Sequence, residues 1–199
     1  VIVRDAWLQK MMDGDEAKRR IWAKVLESRG QIGYTYIFFS DNANNNTVDV
    51  YKDKKLQIYA SNLCSEIMLP SKEDWSFVCC LSSMNVLHFD AWKDTDAVET
   101  MAYLLDAVMT DFITKLETLR DSDKEERRLA FSFMRRAYNF AVANRSIGIG
   151  VLGWHSLLQS KMIPFESTEA SKLNVEVFKT IREQAEVASH KLGEDFGEP

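Results

Sequence analysis

The sequence Ser61-Asn62-Leu63-Cys64-Ser65-Glu66-Ile67 places an amide, a thiol and a carboxylate at alternate positions of one short segment. In an extended backbone successive side chains point to opposite faces, so Asn62, Cys64 and Glu66 would share one face. At roughly 3.3 Å per residue, neighbouring members of the trio would lie about 6 to 7 Å apart and line a surface about the size of one sugar ring. On a helix the three would be spread around the axis. The pattern therefore predicts that any chemistry of this segment takes place on a strand or an extended loop.

The same alternation also fits an ordinary half-buried strand, in which polar side chains face water and apolar ones face the core. A single cysteine such as Cys64 is commonly a small buried hydrophobe. Spacing alone leaves both interpretations open.

Composition and charge are those of an ordinary globular chain. Of the 199 residues, 46% are hydrophobic and 28% are charged, which is enough for one sizeable core. The net charge of −5 and the lack of a Lys/Arg stripe argue against a nucleic-acid-binding surface. No apolar run approaches the roughly 18 residues of a membrane helix, and Arg4 and Asp5 argue against a signal peptide. Three cysteines favour a reducing compartment over a secreted disulfide framework, so we expect a cytoplasmic protein.

Periodicity and capping residues predict a helix-rich α/β chain with about four or five short strands. The strands are predicted at residues 1–3, 34–39, 56–60, 76–81 and 147–151. A short helix is predicted after residues 3–7, and a second one from Asp13 or Asp15 to about Ser28. A capping box of Asp96 and Glu99 begins a long helix that runs to about Arg120, and the next helix runs from Lys124 to about Ala143. The last two helices are predicted from Leu152 to Met162 and from Ser167 to about Leu192, ending at Gly193. The Asn-rich run 41–46 is predicted to be a polar loop.

Two further patterns indicate other chemistry only weakly. Residues 148–153 match the dinucleotide fingerprint G-x-G-x-x-G, but a helix closely precedes them where a nucleotide-binding fold needs a strand. Cys79 and Cys80 are adjacent, so on a strand they point to opposite faces and are poorly placed to bond each other. The three histidines show no ligand-like spacing with these cysteines. We therefore predict neither a dinucleotide site nor a metal site.

The run at residues 61–67 resembles the active-site finger loop of the large, catalytic subunit of ribonucleotide reductase. Other segments resemble the same subunit in the same order, so the match spans nearly the whole chain. These segments are residues 3–7 (VRDAW), 33–37 (GYTYI), 78–83 (VCCLSS), 145–151 (RSIGIGV) and 163–167 (IPFES). Residues 153–162 look most like the bacterial and phage branch of the class I enzymes. The glycines of residues 148–153 would then form a tight barrel turn that passes close to its neighbours.

The resemblance implies a role for each matching residue. Cys64 would carry the thiyl radical that abstracts the 3′-hydrogen of a ribonucleotide. Glu66 would act as general base on the 3′-hydroxyl, and Asn62 would hydrogen-bond the ribose hydroxyls. The order Cys-x-Leu-Ser matches the second redox cysteine of the family at Cys79, which would supply reducing equivalents and end as a disulfide. Cys80 would then be a packed residue that faces the other way.

The resemblance also implies a fold and a set of partners. Residues 1–199 would form part of the ten-stranded α/β barrel around the finger loop. Because the chain opens with Val1 and carries neither an upstream partner cysteine for Cys79 nor the downstream tyrosine pair, we expect an interior fragment without the N-terminal cone and the C-terminal part of the barrel. The implied partners are a metal-containing small subunit that generates the radical, thioredoxin or glutaredoxin as reductant, and a nucleoside diphosphate substrate. Full-length members would bind no cofactor directly, respond to dNTP and ATP effectors, and form homodimers.

Three alternatives remain open from the sequence. A cobalamin-dependent class II reductase shares the Asn-x-Cys-x-Glu chemistry. A non-catalytic remnant or split piece would only complement other chains structurally. A generic thiol-redox protein would use Cys64 or Cys79 without any nucleotide.

Overall fold

A computed structural model describes residues 1–33 and 36–197, in which helices predominate and four short strands pair in two separate two-stranded sheets. The chain divides into two units, residues 1–77 and 78–199. The prediction of a helix-rich α/β chain with about four or five short strands is confirmed for the described residues.

The first unit consists of four helices and one small parallel sheet within its described residues. The elements are β1 (Ile2–Val3), α1 (Asp5–Met12), α2 (Glu16–Ile32), β2 (Phe38–Phe39), α3 (Ser40–Asn45) and α4 (Asp49–Asp53). Strand β1 pairs with β2 in parallel, with Ile2 opposite Phe38 and Val3 opposite Phe39. The predicted strand at residues 34–39 is thus reduced to its last two residues, while Tyr34 and Thr35 lie outside the described residues.

Helix α2 begins as predicted but ends later. The Asp15 side chain accepts a hydrogen bond from the backbone N–H of Lys18 at 3.1 Å, which confirms Asp15 as its cap. The helix continues through Gly30 to Ile32 and ends where Gly33 adopts the left-handed conformation, with φ +66°. A single glycine inside a helix weakens it without breaking it, so the predicted end at Ser28 is wrong.

Two predictions in the first unit are wrong, and one side chain explains the absence of the predicted strand. The Asn-rich run forms helix α3 instead of a loop, and residues 56–60 form no strand. The Asn44 side chain donates to the carbonyl of Ile58 at 2.8 Å and accepts from its N–H at 2.9 Å. Both backbone groups that Ile58 would offer to a neighbouring strand are therefore taken by a side chain of α3.

The second unit is built around a parallel strand pair whose two strands lie far apart in sequence. Its elements are β3 (Leu81–Asn85), a 3₁₀ turn (Val86–His88), α5 (Phe89–Trp92), α6 (Ala97–Arg120), α7 (Glu125–Asn144), β4 (Gly148–Leu152), α8 (Trp154–Ser160) and α9 (Thr168–Phe196). Strands β3 and β4 pair over five residues, from Leu81 opposite Gly148 to Asn85 opposite Leu152. Parallel strands need a long crossover, and α5, α6 and α7 provide it. The buried cluster of this unit comprises Met84, Val86, Phe89, Val98, Leu157, Val177 and Ile181.

The glycines of residues 148–153 lie in and just after β4, where side chains of β3 come close to their backbone. A Cβ on Gly150 would lie 3.1 Å from Ser83 Oγ, and one on Gly153 would lie 2.6 Å from Asn85 Oδ1. Gly153 also has φ +84°, which L side chains rarely adopt. The close approach expected of this segment is therefore confirmed, on a strand that pairs with β3.

Most predicted helices of the second unit are confirmed, with changes at their ends. Helix α9 is capped by Ser167 Oγ, which accepts from the N–H of Ala170 at 3.1 Å, but it continues past the predicted end at Gly193 to Phe196. Helix α6 has the predicted bounds without the predicted capping box, because the Asp96 side chain makes no cap hydrogen bond and Glu99 pairs with Lys191 at 2.6 Å. The strand predicted at residues 76–81 is shifted to Leu81–Asn85, where β4 supplies a partner.

Candidate active site

Residues 61–67, called the finger loop below for their resemblance to that segment of the family, are closed by hydrogen bonds at two levels. At the base, just outside the loop, the carbonyl of Gln57 accepts a hydrogen bond from the N–H of Ser71 at 3.3 Å. Asn62 and Ile67 form the neck of the loop. The N–H of Asn62 donates to the carbonyl of Ile67 at 3.2 Å, and Asn62 Oδ1 accepts from the N–H of Ile67 at 3.0 Å. The Asn62 side chain therefore completes a ring that holds the two ends of the loop together.

Between Asn62 and Ile67 the backbone makes a tight turn. The N–H of Ser65 donates to the carbonyl of Asn62 at 3.2 Å, and Ser65 has φ +67°. Ser61 Oγ donates to the same carbonyl at 3.0 Å. The expectation of a loop is confirmed, but the extended backbone expected within it is wrong. A residue in the left-handed region reverses the chain direction, so alternate side chains no longer follow a strand-like register.

The turn brings Asn62 and Glu66 into direct contact. Asn62 Nδ2 donates to Glu66 Oε1 at 2.6 Å. Residues four positions apart on a strand would lie about 13 Å apart, so this contact depends on the turn. The neutral amide and the carboxylate form a short hydrogen bond of the charge-assisted kind, which orients the carboxylate without neutralising it.

Cys64 sits at the tip of the turn between these two residues. Its thiol is free and exposed, and the neighbouring Leu63 side chain is 77% exposed. A cavity of about 340 Å³ opens beside the loop, against Ile2 of β1 and Phe38 of β2. This volume is in the range that small-molecule sites occupy. The finger loop thus presents a thiol, an amide and a carboxylate together at its exposed end.

The two adjacent cysteines of the second unit differ in their surroundings. Cys79 is exposed, whereas Cys80 is half-buried with its Sγ 3.4 Å from the carbonyl oxygen of Leu105 on α6. Burial raises the pKa of the Cys80 thiol, and Cys79 and Asp106 raise it further. Cys80 is thus a packed thiol, as the sequence resemblance implied, and Cys79 is accessible. A groove of about 400 Å³ lies beside them against the exposed side chains Leu104 and Val108.

The described residues carry neither a cluster of metal ligands nor a membrane-spanning helix. Within residues 1–33 and 36–197, no group of three or more His, Cys, Asp or Glu side chains is arranged to hold a metal ion. No helix in this part of the chain combines the length and apolar character needed to cross a bilayer.

The contact of Asn44 and the conformation of Ser65 could not be predicted from the sequence. Asn44 stands in a run of polar residues with nothing local to distinguish it from Asn42 or Asn45. Serine is not a residue that signals positive φ, as glycine or asparagine would. Both features become visible only from the folded backbone.

Comparison with known proteins identifies the family. The family model of the ribonucleotide reductase barrel domain matches residues 8–199. The chain belongs to the ribonucleotide reductase family. Its paired strands and helices are accordingly part of the α/β barrel of ribonucleotide reductase, as the sequence resemblance predicted.

Individual relatives agree with this assignment. The alpha subunit of a class Id ribonucleotide reductase from Actinobacillus ureae superposes with a TM-score of 0.86 at 49% sequence identity, over 100% of this chain and 36% of that one. A Frog virus 3 protein assigned as a ribonucleoside-diphosphate reductase large subunit is 38% identical over 180 residues, which is 90% of this chain and 30% of that protein. The corresponding large subunit of Invertebrate iridescent virus 3 is 37% identical over 89% of this chain and 26% of that protein. The chain therefore spans about a quarter to a third of the length of these relatives.

Proposed function

We propose that this chain supplies the finger loop and one redox cysteine of a class I ribonucleoside-diphosphate reductase catalytic subunit. The reaction is the radical-based reduction of ribonucleotides to 2′-deoxyribonucleotides for DNA synthesis. The observation that carries the proposal is the 2.6 Å hydrogen bond between Asn62 Nδ2 and Glu66 Oε1, with the exposed thiol of Cys64 on the turn between them. This contact gathers the three functional groups that the chemistry needs in one small loop.

Each group has a distinct task in the proposed reaction. A thiyl radical at Cys64 abstracts the 3′-hydrogen of the ribose, so a C–H bond breaks and an S–H bond forms. The Glu66 carboxylate accepts the proton of the 3′-hydroxyl, which accelerates departure of the 2′-hydroxyl. The 2′-hydroxyl leaves as water with a proton that the dithiol donates. Asn62 hydrogen-bonds the ribose hydroxyls and keeps them in register with Cys64.

The accessible thiol of Cys79 forms a dithiol with an upstream cysteine of the complete subunit. This dithiol delivers two electrons and two protons and ends as a disulfide between the two cysteines. The exposure of Cys79 suits thiol–disulfide exchange with an external reductant of the thioredoxin or glutaredoxin type. Cys80 takes no part, because it is half-buried against α6 and its pKa is raised.

The wider assignment follows from family membership and is part of the proposal. Residues 1–199 contribute to the catalytic barrel of a large subunit that takes a nucleoside diphosphate as substrate. The radical comes from a metal-containing small subunit. The complete subunit works as a homodimer in the cytoplasm under dNTP and ATP control.

The decisive experiment replaces Cys64 by serine in the reductase assembly reconstituted around this chain. Formation of deoxynucleotides should be abolished by Cys64→Ser, whereas the matched variant Cys80→Ser should retain turnover because Cys80 only packs against α6. Unchanged turnover in Cys64→Ser would instead favour a chain that merely completes the structure.

Two additions to the assay separate the remaining alternatives. A requirement for adenosylcobalamin in place of the small subunit would favour a class II reductase. Reaction of Cys64 or Cys79 with peroxide, without any dependence on nucleotide, would favour a generic thiol-redox protein.

A further inference from the structure

A side chain outside the finger loop holds the backbone that leads into it. Asn44 Nδ2 donates to the carbonyl of Ile58 at 2.8 Å, and Asn44 Oδ1 accepts from the N–H of Ile58 at 2.9 Å. Ile58 lies four positions before Asn62 and is only 2% exposed, so its backbone groups have little access to water. The amide of Asn44 therefore satisfies both polar groups of a buried residue at the entrance to the loop.

The helix that carries Asn44 is itself anchored at its start. Ser40 Oγ donates to the carbonyl of Val3 at 3.3 Å, and Asp41 Oδ2 accepts from the N–H of Asp5 at 2.7 Å. Asn44 Nδ2 also donates to the carbonyl of Ser40 at 2.7 Å. A continuous set of hydrogen bonds thus runs from the segment at β1, through α3, to the backbone that enters the finger loop.

We propose that Asn44 is a positioning residue that fixes the position of the finger loop relative to β1 and α3 by holding Ile58. This inference rests on the proposed function of that loop. The loop is held at its base by the bond between Gln57 and Ser71 and at its neck by the bonds between Asn62 and Ile67. Asn44 adds the contact that ties this closed loop to a helix. Without it, the neck can shift relative to β1, and its internal hydrogen bonds open more often.

The chemistry of the contact requires an amide. A side chain that accepts from an N–H and donates to a C=O of the same residue must carry both functions in one plane, as an amide does. Aspartate in place of Asn44 keeps the acceptor but loses the donor, and it sets a carboxylate oxygen against the carbonyls of Ile58 and Ser40. Alanine removes both functions.

The test compares Asn44→Ala and Asn44→Asp with the matched control Asn45→Ala in the full chain. Asn45 is the next residue of α3 and is exposed. Amide hydrogen exchange is followed in peptides that cover the finger loop and in peptides of α2, which belongs to the same unit. Exchange at the N–H groups of Asn62 and Ile67 should become about tenfold faster relative to α2 in both Asn44 variants, and remain unchanged in Asn45→Ala.

A second measurement uses the reconstituted reductase. The expected result is a kcat that falls about 10- to 100-fold with a KM changed much less, because the loop still forms but is displaced from the reacting geometry. A residue that only stabilised the fold would instead accelerate exchange in α2 and the loop together.

The outcomes separate the inference from the function on which it rests. Loop exchange that does not rise relative to α2 in either Asn44 variant overturns the positioning role, whatever the activity. Faster loop exchange with unchanged turnover leaves Asn44 as the anchor of the loop and counts against the catalytic role of the loop itself. Faster loop exchange together with the fall in kcat supports both.

Discussion

Asn62 Nδ2 donates to Glu66 Oε1 at 2.6 Å, while Asn62 Oδ1 accepts from the N–H of Ile67 at 3.0 Å. One amide thus holds the loop closed with its oxygen and orients the carboxylate with its nitrogen. In the proposed reaction, a ribose hydroxyl that approaches Cys64 would meet a carboxylate whose direction is already set. This arrangement reduces the reorganisation needed when substrate binds.

Replacing Glu66 by glutamine tests the carboxylate as a base. The amide oxygen of the glutamine side chain would still accept the hydrogen bond from Asn62, so the loop keeps its shape, but the amide cannot take up a proton. We expect kcat of the reconstituted enzyme to fall by about 10²- to 10⁴-fold with an unchanged unfolding midpoint. Asp53→Asn, which alters an exposed carboxylate at the end of α4, is the control and should retain full activity. A Glu66→Gln enzyme with normal kcat would contradict the assignment.

Ser65 tests whether the turn itself is needed. Ser65→Gly and Ser65→Val both remove the hydroxyl group that lies 3.5 Å from Ser61 Oγ, but valine adopts φ +67° much less readily than glycine does. A β-branched residue held at positive φ is strained by about 1–3 kcal/mol, whereas glycine is not. The valine variant should therefore show faster exchange at its turn amide and lower kcat than the glycine variant. Equal behaviour of the two variants would mean that the turn does not matter.

The link between α6 and the end of α7 depends on Arg145. Its guanidinium group donates to Asp106 Oδ1 at 2.9 Å and to the Asp106 carbonyl at 3.1 Å, and both side chains are largely buried. Arg145→Ala leaves this carboxylate without its partner, so we expect a loss of about 1.5–3 kcal/mol in the free energy of unfolding, measured with urea. The exposed pair of Lys115 and Asp111 on the same helix provides the control, since Lys115→Ala should change stability by less than about 0.5 kcal/mol. Similar losses in the two variants would mean that burial adds nothing to the pair of Arg145 and Asp106.

The three cysteines should differ in their rates of alkylation. Burial raises the pKa of the Cys80 thiol, so at a given pH a smaller fraction of it is the reactive thiolate. With iodoacetamide near pH 8, mass spectrometry should show Cys64 and Cys79, which are exposed, modified before Cys80. The lag of Cys80 should shrink as the pH rises towards its raised pKa. Modification of Cys80 ahead of Cys79 would contradict the packing seen against Leu105.

The long helices and the chemical identity of the finger loop could be predicted from the sequence. Apolar side chains at helical spacing define α6 and α7, and Ser167 caps α9, because these signals act within a few residues of the chain. The run at residues 61–67, together with the other matching segments in the same order, indicated the family that the match over residues 8–199 confirms.

Tertiary structure alone decided where the strands lie and how the reactive groups meet. Strand β3 begins at Leu81, and not at residue 76, because its partner β4 pairs with residues 81–85. Strand β4 lies more than sixty positions further along the chain, so no local signal marks this start. Residues 56–60 form no strand because Asn44, fourteen positions before Ile58, takes both of its backbone groups. The contact between Asn62 and Glu66 depends on positive φ at Ser65, which no local preference of serine predicts. In each case the deciding hydrogen bond or backbone conformation depends on the folded chain and has no local sequence signal.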